Sequence, residues 1–171
     1  ARCHDVLLPA IYSIFIHAQR GERQFELDLG YVARPQWAKA TNPRNSLMDK
    51  NYDDIAHALQ TYLDGLYEGD TEKLASIFHP VSHLFCNTGG EFLHWSRAEW
   101  FEVVEGRESP KSQGLARHDR IISIDMSDET TALAKLNCAV PPRFFTDYLT
   151  LLKLDGRWQI VAKSFRFETR G

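Results

Sequence analysis

Asp147 interrupts an alternating apolar run between Phe144 and Leu154, and that position makes it a candidate for chemistry. Asp155-Gly156 follows the run as a strong signal for a two-residue hairpin. Pairing the strands across that turn puts Leu154 opposite Arg157, Asp147 opposite Ser164 and Leu149 opposite Ala162. Phe145, Asp147, Leu149 and Leu151 then share a face with Trp158, Ile160, Ala162 and Ser164. Trp158 and Ile160 mark that face as the core side. A carboxylate there is penalised for its charge unless a cation or donors stabilise it, which suits it to general acid–base work. A structural aspartate bonded to Ser164 or Arg166 is the competing expectation. The register sends Tyr148 and Lys163 to the opposite face, and a slip of one residue would exchange the two sets.

The elements that must position Asp147 become regular from Asn51 onward. Asn51 is expected to cap a helix with Asp53 and Asp54 in its first turn. Tyr52, Ile55, Leu59, Tyr62, Leu63 and Leu66 recur at spacings of three and four, the signature of one buried helical face. Gly69 closes that helix, and Asp70 caps a short second one whose apolar side is Leu74, Ile77 and Phe78, stopped by Pro80. Val81 to Asn87 and Glu91 to Trp95 read as strands joined at Gly89-Gly90. Ser96 and Glu99 form a capping box for a third helix that turns Trp100, Phe101 and Val104 inward. A polar loop follows, and then three long strands. Ile122, Ile124 and Met126 share a face; Ala132, Ala134, Leu136 and Cys138 alternate; and Pro141-Pro142 precedes the hairpin. Helices, short strands, a helix and an antiparallel meander make an α+β pattern.

Composition narrows the function classes. The 171 residues suit one ordinary domain, and 43% hydrophobic with 25% charged residues excludes wholesale disorder. A net charge of -3 argues against a general nucleic-acid binder. Cys3, Cys86 and Cys138 are too few and scattered for a disulfide framework, which favours a reducing, cytoplasmic setting. Cys86 and Cys138 read as inert core thiols. The longest apolar run, Val6 to Ile16, is broken by Pro9 and too short to span a bilayer, so no membrane association is expected. No nucleotide, flavin or phosphate-loop motif is evident, and no cofactor is expected.

Several segments together resemble a known family. They are Tyr67-Glu68-Gly69-Asp70, Phe78-His79-Pro80 and Ile121 to Asp125, and above all Phe145 to Lys153 with Asp155 to Lys163. Over about residues 50 to 168 the chain resembles the putative lumazine-binding branch of the NTF2-like (SnoaL-like) superfamily. The strand with Asp147-Tyr148-Leu149 and the Trp158-x-Ile-Val-x-Lys163 strand are the most specific pieces. The resemblance implies a cone-shaped barrel in which N-terminal helices cover a curved antiparallel sheet and leave a cavity at the wide end. It also implies a homodimer formed through the sheet, with Tyr148 and Lys163 as interface residues. Relatives in the branch include isomerases, dehydratases, cyclases and non-catalytic binding domains.

On that fold His79, His83 and His94 rim the cavity, and His83 or His94 could shuttle a proton with Asp147. Zinc at His79, His83, Cys86 and His94 is set aside. Pro80 denies His79 and His83 helical geometry, and alternation sends His83 and Cys86 to opposite faces, so no metal is expected. Tyr62, Leu66, Trp95, Trp100 and Phe101 are candidate ligand-binding residues, with His79 at the rim, although aromatics at helical spacing also build cores. Gly65 would leave space beside Tyr62. The stretch from Arg107 to Arg120 reads as a solvated loop or a lid over the pocket.

Residues 1–47 stand apart, with Pro9, Pro35 and Pro43, a strand-like patch at Phe25 to Leu29, and no sustained periodicity. They are expected to be a loosely packed or non-native extension ahead of an NTF2-like domain at 48–171. The functional expectation is a dimeric small-molecule-binding protein. It would be a cofactor-free isomerase or dehydratase acting on an aromatic or polycyclic metabolite through Asp147 and His83. The alternative is a non-catalytic ligand-binding or association module.

Overall fold

The computed structural model describes residues 43 to 170. The Val6 to Ile16 run, the Phe25 to Leu29 patch and most of the expected extension lie outside the described residues. Helix α1 (Pro43–Glu68) opens on a proline, whose missing N–H costs nothing in a first turn. The helix therefore begins earlier than the cap signal at Asn51 suggested. Asn51 lies in its interior, fully buried, and its Oδ1 accepts from Lys153 Nζ at 2.7 Å and Trp158 Nε1 at 3.4 Å. Ile55, Leu59, Tyr62, Leu63 and Leu66 form the buried stripe, while Tyr52 is exposed.

Gly69 ends α1 at φ 70°, a conformation that costs glycine little. Asp70 then caps α2 (Thr71–Ile77) by accepting from the Lys73 N–H. The chain becomes extended at Phe78, before Pro80 is reached, and β1 runs Phe78–Cys86. A Cβ on Gly65 would meet Leu74 Cδ2 at 2.8 Å, so Gly65 admits α2 against α1 and leaves no free space. A short helical turn at Thr88–Gly90 leads to β2 (Leu93–Ser96), and the Ser96–Glu99 capping box starts α3 (Arg97–Glu105).

The remaining strands are β3 (Arg120–Met126), β4 (Thr131–Val140), β5 (Arg143–Leu154) and β6 (Arg157–Thr169). They complete a curved, open six-stranded sheet in the order β2-β1-β6-β5-β4-β3. The sheet is mixed rather than wholly antiparallel. β1, arriving from the helices, lies parallel to β6, while every other neighbouring pair is antiparallel. Such a parallel pair needs a long crossover, here the whole segment from β2 to β5. The three helices pack on the sheet over one core that includes Leu59, Leu63, Phe78, Leu136 and Ile160.

Two register shifts decide which side chains face that core. Leu154 pairs with Arg157 and Leu151 with Ile160, as the hairpin signal implies, but Thr150 pairs with Ala162, leaving Val161 as an extra residue on β6. Beyond it Leu149 pairs with Lys163, Tyr148 with Ser164 and Asp147 with Phe165. The bulge leaves β5 in its expected phase and inverts the rest of β6. Asp147 is therefore inward, Tyr148 is outward, and Lys163 is turned into the core instead of toward an interface. A second shift between Ile121 and Ser123 leaves Ile122 exposed, while Ile121, Ile124 and Met126 pack on the core.

The segment after α3 is tied down along much of its length. Lys111 pairs with Glu68 at 3.0 Å, Arg117 pairs with Asp64 at 2.5 Å and also with Asp119, and Tyr67 Oη donates to the Leu115 carbonyl at 3.1 Å. These bonds tie the segment to α1, while most of its residues stay solvent-exposed.

Candidate active site

The sheet curves around a cavity of about 570 Å³ that opens between β2, α3 and the far ends of β5 and β6. Phe92, Trp95, Trp100, Phe145, Phe165 and Phe167 supply aromatic rings to its walls. Alternation along β6 past the bulge supplies Lys163, Phe165 and Phe167 to one wall, two residues apart. α3 supplies Trp100, which is nearly buried and packs on Phe78 with ring centroids 5.0 Å apart.

Lys163 is the chemically distinctive group on the wall. Its residue is 4% exposed, and Nζ lies 4.8 Å from the Phe165 ring centroid, with Tyr62, Trp100 and Phe145 also within 6 Å. Nζ donates to Tyr62 Oη at 2.6 Å and to Asp147 Oδ2 at 3.0 Å. Tyr62 in turn donates to the same Oδ2 at 2.5 Å, and Cys138 Sγ lies 3.4 Å from it. Three groups from α1, β4 and β6 thus converge on one carboxylate oxygen of β5, while Asp147 Oδ1 is buried with no hydrogen-bond partner. An ammonium has three N–H bonds. Two are spent on Tyr62 and Asp147.

Burial, and then the neighbouring Asp147 charge, push the Tyr62 hydroxyl well above the usual phenol range. The same two causes, in the same order, push the Cys138 thiol well up, so both groups stay protonated near neutrality. A protonated thiol is a poor nucleophile, in keeping with the expectation of an inert Cys138.

Of the residues singled out from sequence, Leu66, Trp95 and Trp100 line the cavity. Asp147 and Tyr62 lie one layer behind it, in contact with the wall residue Lys163, and Asp147 also with the wall residue Cys138. Phe101 packs against Trp100 beneath the Arg97 guanidinium and is not part of the wall. His79 and His83 are also outside the wall. His83 Nδ1 is 3.0 Å from the Val81 carbonyl, and its ring stacks at 4.9 Å on His94, which does line the cavity. Among the described residues, no three His, Cys, Asp or Glu side chains converge as a metal site would require. No described helix is long and apolar enough to cross a membrane.

Sequence reasoning missed Lys163 and Arg107. The first carried a signal: Ser164, Arg166 and Glu168 would all face inward if β6 kept one phase, whereas Phe165 and Phe167 would face outward. That reversal of the apolar pattern after Ile160 marks the bulge. Arg107 follows Gly106 at the end of α3 with no periodicity around it, and only the fold brings it to the cavity.

Residues 50–166 match the family described as "Putative lumazine-binding". The aldolase FrzH of a Cladobotryum species is 27% identical over 121 residues, which cover 70% of this chain and 93% of that protein. An NTF2-like protein of unknown function from Silicibacter pomeroyi has a TM-score of 0.64 at 22% identity, covering 71% of this chain and 98% of its own. A ketosteroid isomerase-like protein from Erwinia carotovora atroseptica has a TM-score of 0.53 at 16% identity, covering 68% and 95%. The two solved structures share the fold.

Proposed function

The chain belongs to the putative lumazine-binding family of the NTF2-like superfamily, and on that premise we propose that it is a cofactor-independent enzyme acting on an aromatic or polycyclic carbonyl compound. The reaction it supports best is enolate formation. Lys163 points its free N–H at the carbonyl oxygen, and its charge, held in a wall of aromatic rings, stabilises the negative charge that grows there as a proton leaves the neighbouring carbon. Asp147 and Tyr62 are positioning residues in this scheme: they hold the ammonium in place. His94 is the wall residue suited to take the proton, with His83 stacked behind it. Isomerisation, loss of a β-hydroxyl and aldol carbon–carbon chemistry can each proceed through such an enolate, and the aldolase relative is in keeping with this.

The observation that carries the proposal is a lysine almost wholly buried in a cavity wall, with two of its three N–H bonds already fixed. A planar phenol mimics an enolate, so 2-naphthol is a suitable probe. Calorimetry above and below its ionisation should show the naphtholate binding more tightly than the neutral form. Lys163→Met should lower naphtholate affinity by at least tenfold. Equal affinity of the wild type for both forms would overturn the proposal.

A second reading, a non-catalytic dimeric binding module, is favoured by one feature. The Asp147–Lys163–Tyr62 cluster ties α1 to two strands, which is a structural task in itself. Exposed Ile122, Leu133 and Tyr148 support pairing of two copies through the sheet in either reading. Naphtholate binding without proton-transfer activity would favour the module.

A further inference from the structure

The cavity holds a cation that the enolate scheme does not use. Arg107 lines the wall, and its Nε and Nη2 are buried without any hydrogen-bond partner. These two nitrogens form the side edge of the guanidinium, whose parallel N–H bonds match the two oxygens of a carboxylate. Several other described arginines have partners of their own. Arg117 pairs with Asp64 and Asp119, Arg166 and Arg170 pair with Glu168, and Arg97 donates to the Phe78 carbonyl. Burying a guanidinium edge unpaired is costly, and because Arg107 belongs to the cavity wall, a small shift of its side chain would let that edge take its acceptor from a bound molecule.

The surrounding charge defines that acceptor. Arg143 lines the same cavity, its guanidinium 5.1 Å from the Phe167 ring centroid, and takes part in no ion pair among the described residues. Burial first, and to a lesser degree Arg143, lower the pKa of Arg107; the nearby Tyr62 and Cys138 act the other way. Lys163, Arg107 and Arg143 face Glu91 in the wall and Asp147 behind it, so the site carries one uncompensated positive charge. One excess charge fits a monoanion better than a dianion such as a phosphate monoester.

We infer that Arg107 is an anion-binding residue and that the molecule bound in this cavity carries one carboxylate beside its aromatic body. This rests on the cavity being a small-molecule site, as proposed above, and it narrows the substrate class to aromatic oxo acids. Arg107 grips the carboxylate side-on, Arg143 adds longer-range attraction, and Lys163 meets the carbonyl oxygen.

The test compares 2-naphthoate with its neutral isostere 2-naphthamide by titration calorimetry. The wild type should bind 2-naphthoate at least tenfold more tightly. In Arg107→Met the two affinities should come within about twofold, chiefly through loss of the acid, with 2-naphthamide binding little changed. Arg107→Gln serves as a second variant if the first fails to fold. Equal affinities in the wild type, or a preference that survives loss of Arg107, overturn the inference. If 2-naphthol still binds as its anion while 2-naphthoate shows no preference, the carboxylate site fails and the enolate reading stands. Binding of none of the three probes overturns both.

Discussion

Lys163 Nζ and Asp147 Oδ2 lie 3.0 Å apart on neighbouring strands, and they meet only because the extra residue Val161 turns Lys163 inward. Both residues are almost wholly buried. An ion pair in that setting is costly to break by removing one partner, because the other charge is left unpaired in the core. Asp147→Asn should therefore destabilise the fold by about 3–5 kcal/mol. Lys163→Met added to it should recover much of that loss. Urea denaturation of the two single variants and the double variant measures the coupling directly. Additive losses would show that the pair does not act as a unit.

Tyr62 contributes a hydrogen bond to the same carboxylate, so Tyr62→Phe should cost about 1.5–3 kcal/mol, the range for a bond to a charged group. Its pH dependence is a second readout. Below about pH 10 the phenol is protonated in both folded and unfolded chains. Above that, the unfolded chain gives up the proton while the buried hydroxyl, with its raised value, keeps it. Stability is therefore intact below the unfolded value and lost as pH rises toward the folded one. Wild type should lose stability more steeply than Tyr62→Phe between about pH 10 and 11, measured by chemical denaturation. Parallel profiles would argue against a buried, carboxylate-bound phenol.

Gly65→Ala separates helix propensity from packing. In an exposed helix the change is worth about 1 kcal/mol of stabilisation. Here the new methyl would lie 2.8 Å from Leu74 Cδ2 in a filled core. The packing penalty should win, with a net loss of about 1–3 kcal/mol seen as a lowered Tm. A raised Tm would show that Leu74 has room to move.

If two copies pair through the outer face of the sheet, a charge there should part them. Tyr148 is 43% exposed, Leu133 46% and Ile122 41%. Tyr148→Glu should shift sedimentation from dimer to monomer at micromolar concentration while leaving 2-naphthol binding intact. A wild type that is monomeric throughout would remove the sheet-mediated pairing.

The fold was legible because local signals agreed with one another. The Asp155-Gly156 turn, the Ser96–Glu99 box, the Asp70 cap and the α1 stripe each appear where their chemistry demands. The start of α1 was less visible, since Asn51 looks like a cap but serves as a buried acceptor for Lys153 and Trp158. The candidate site was half legible. The inward face of Asp147 is legible because β5 carries no extra residue, whereas alternation alone sends Lys163 outward and a single bulge residue inverts everything after it on β6. Arg107 lay beyond reach, as nothing local marks a residue that only tertiary structure brings to a cavity wall.

In the proposed reaction Lys163, held by Asp147 and Tyr62, stabilises an enolate in the cavity. The most direct measurement is hydrogen–deuterium exchange at the carbon next to the carbonyl of 2-tetralone, followed by proton NMR in deuterated buffer. Wild type should accelerate that exchange above buffer, and Lys163→Met, paired with Asp147→Asn to preserve folding, should lose roughly two to three orders of magnitude of the acceleration. Exchange no faster than buffer in the wild type, or equally fast without Lys163, would contradict the account.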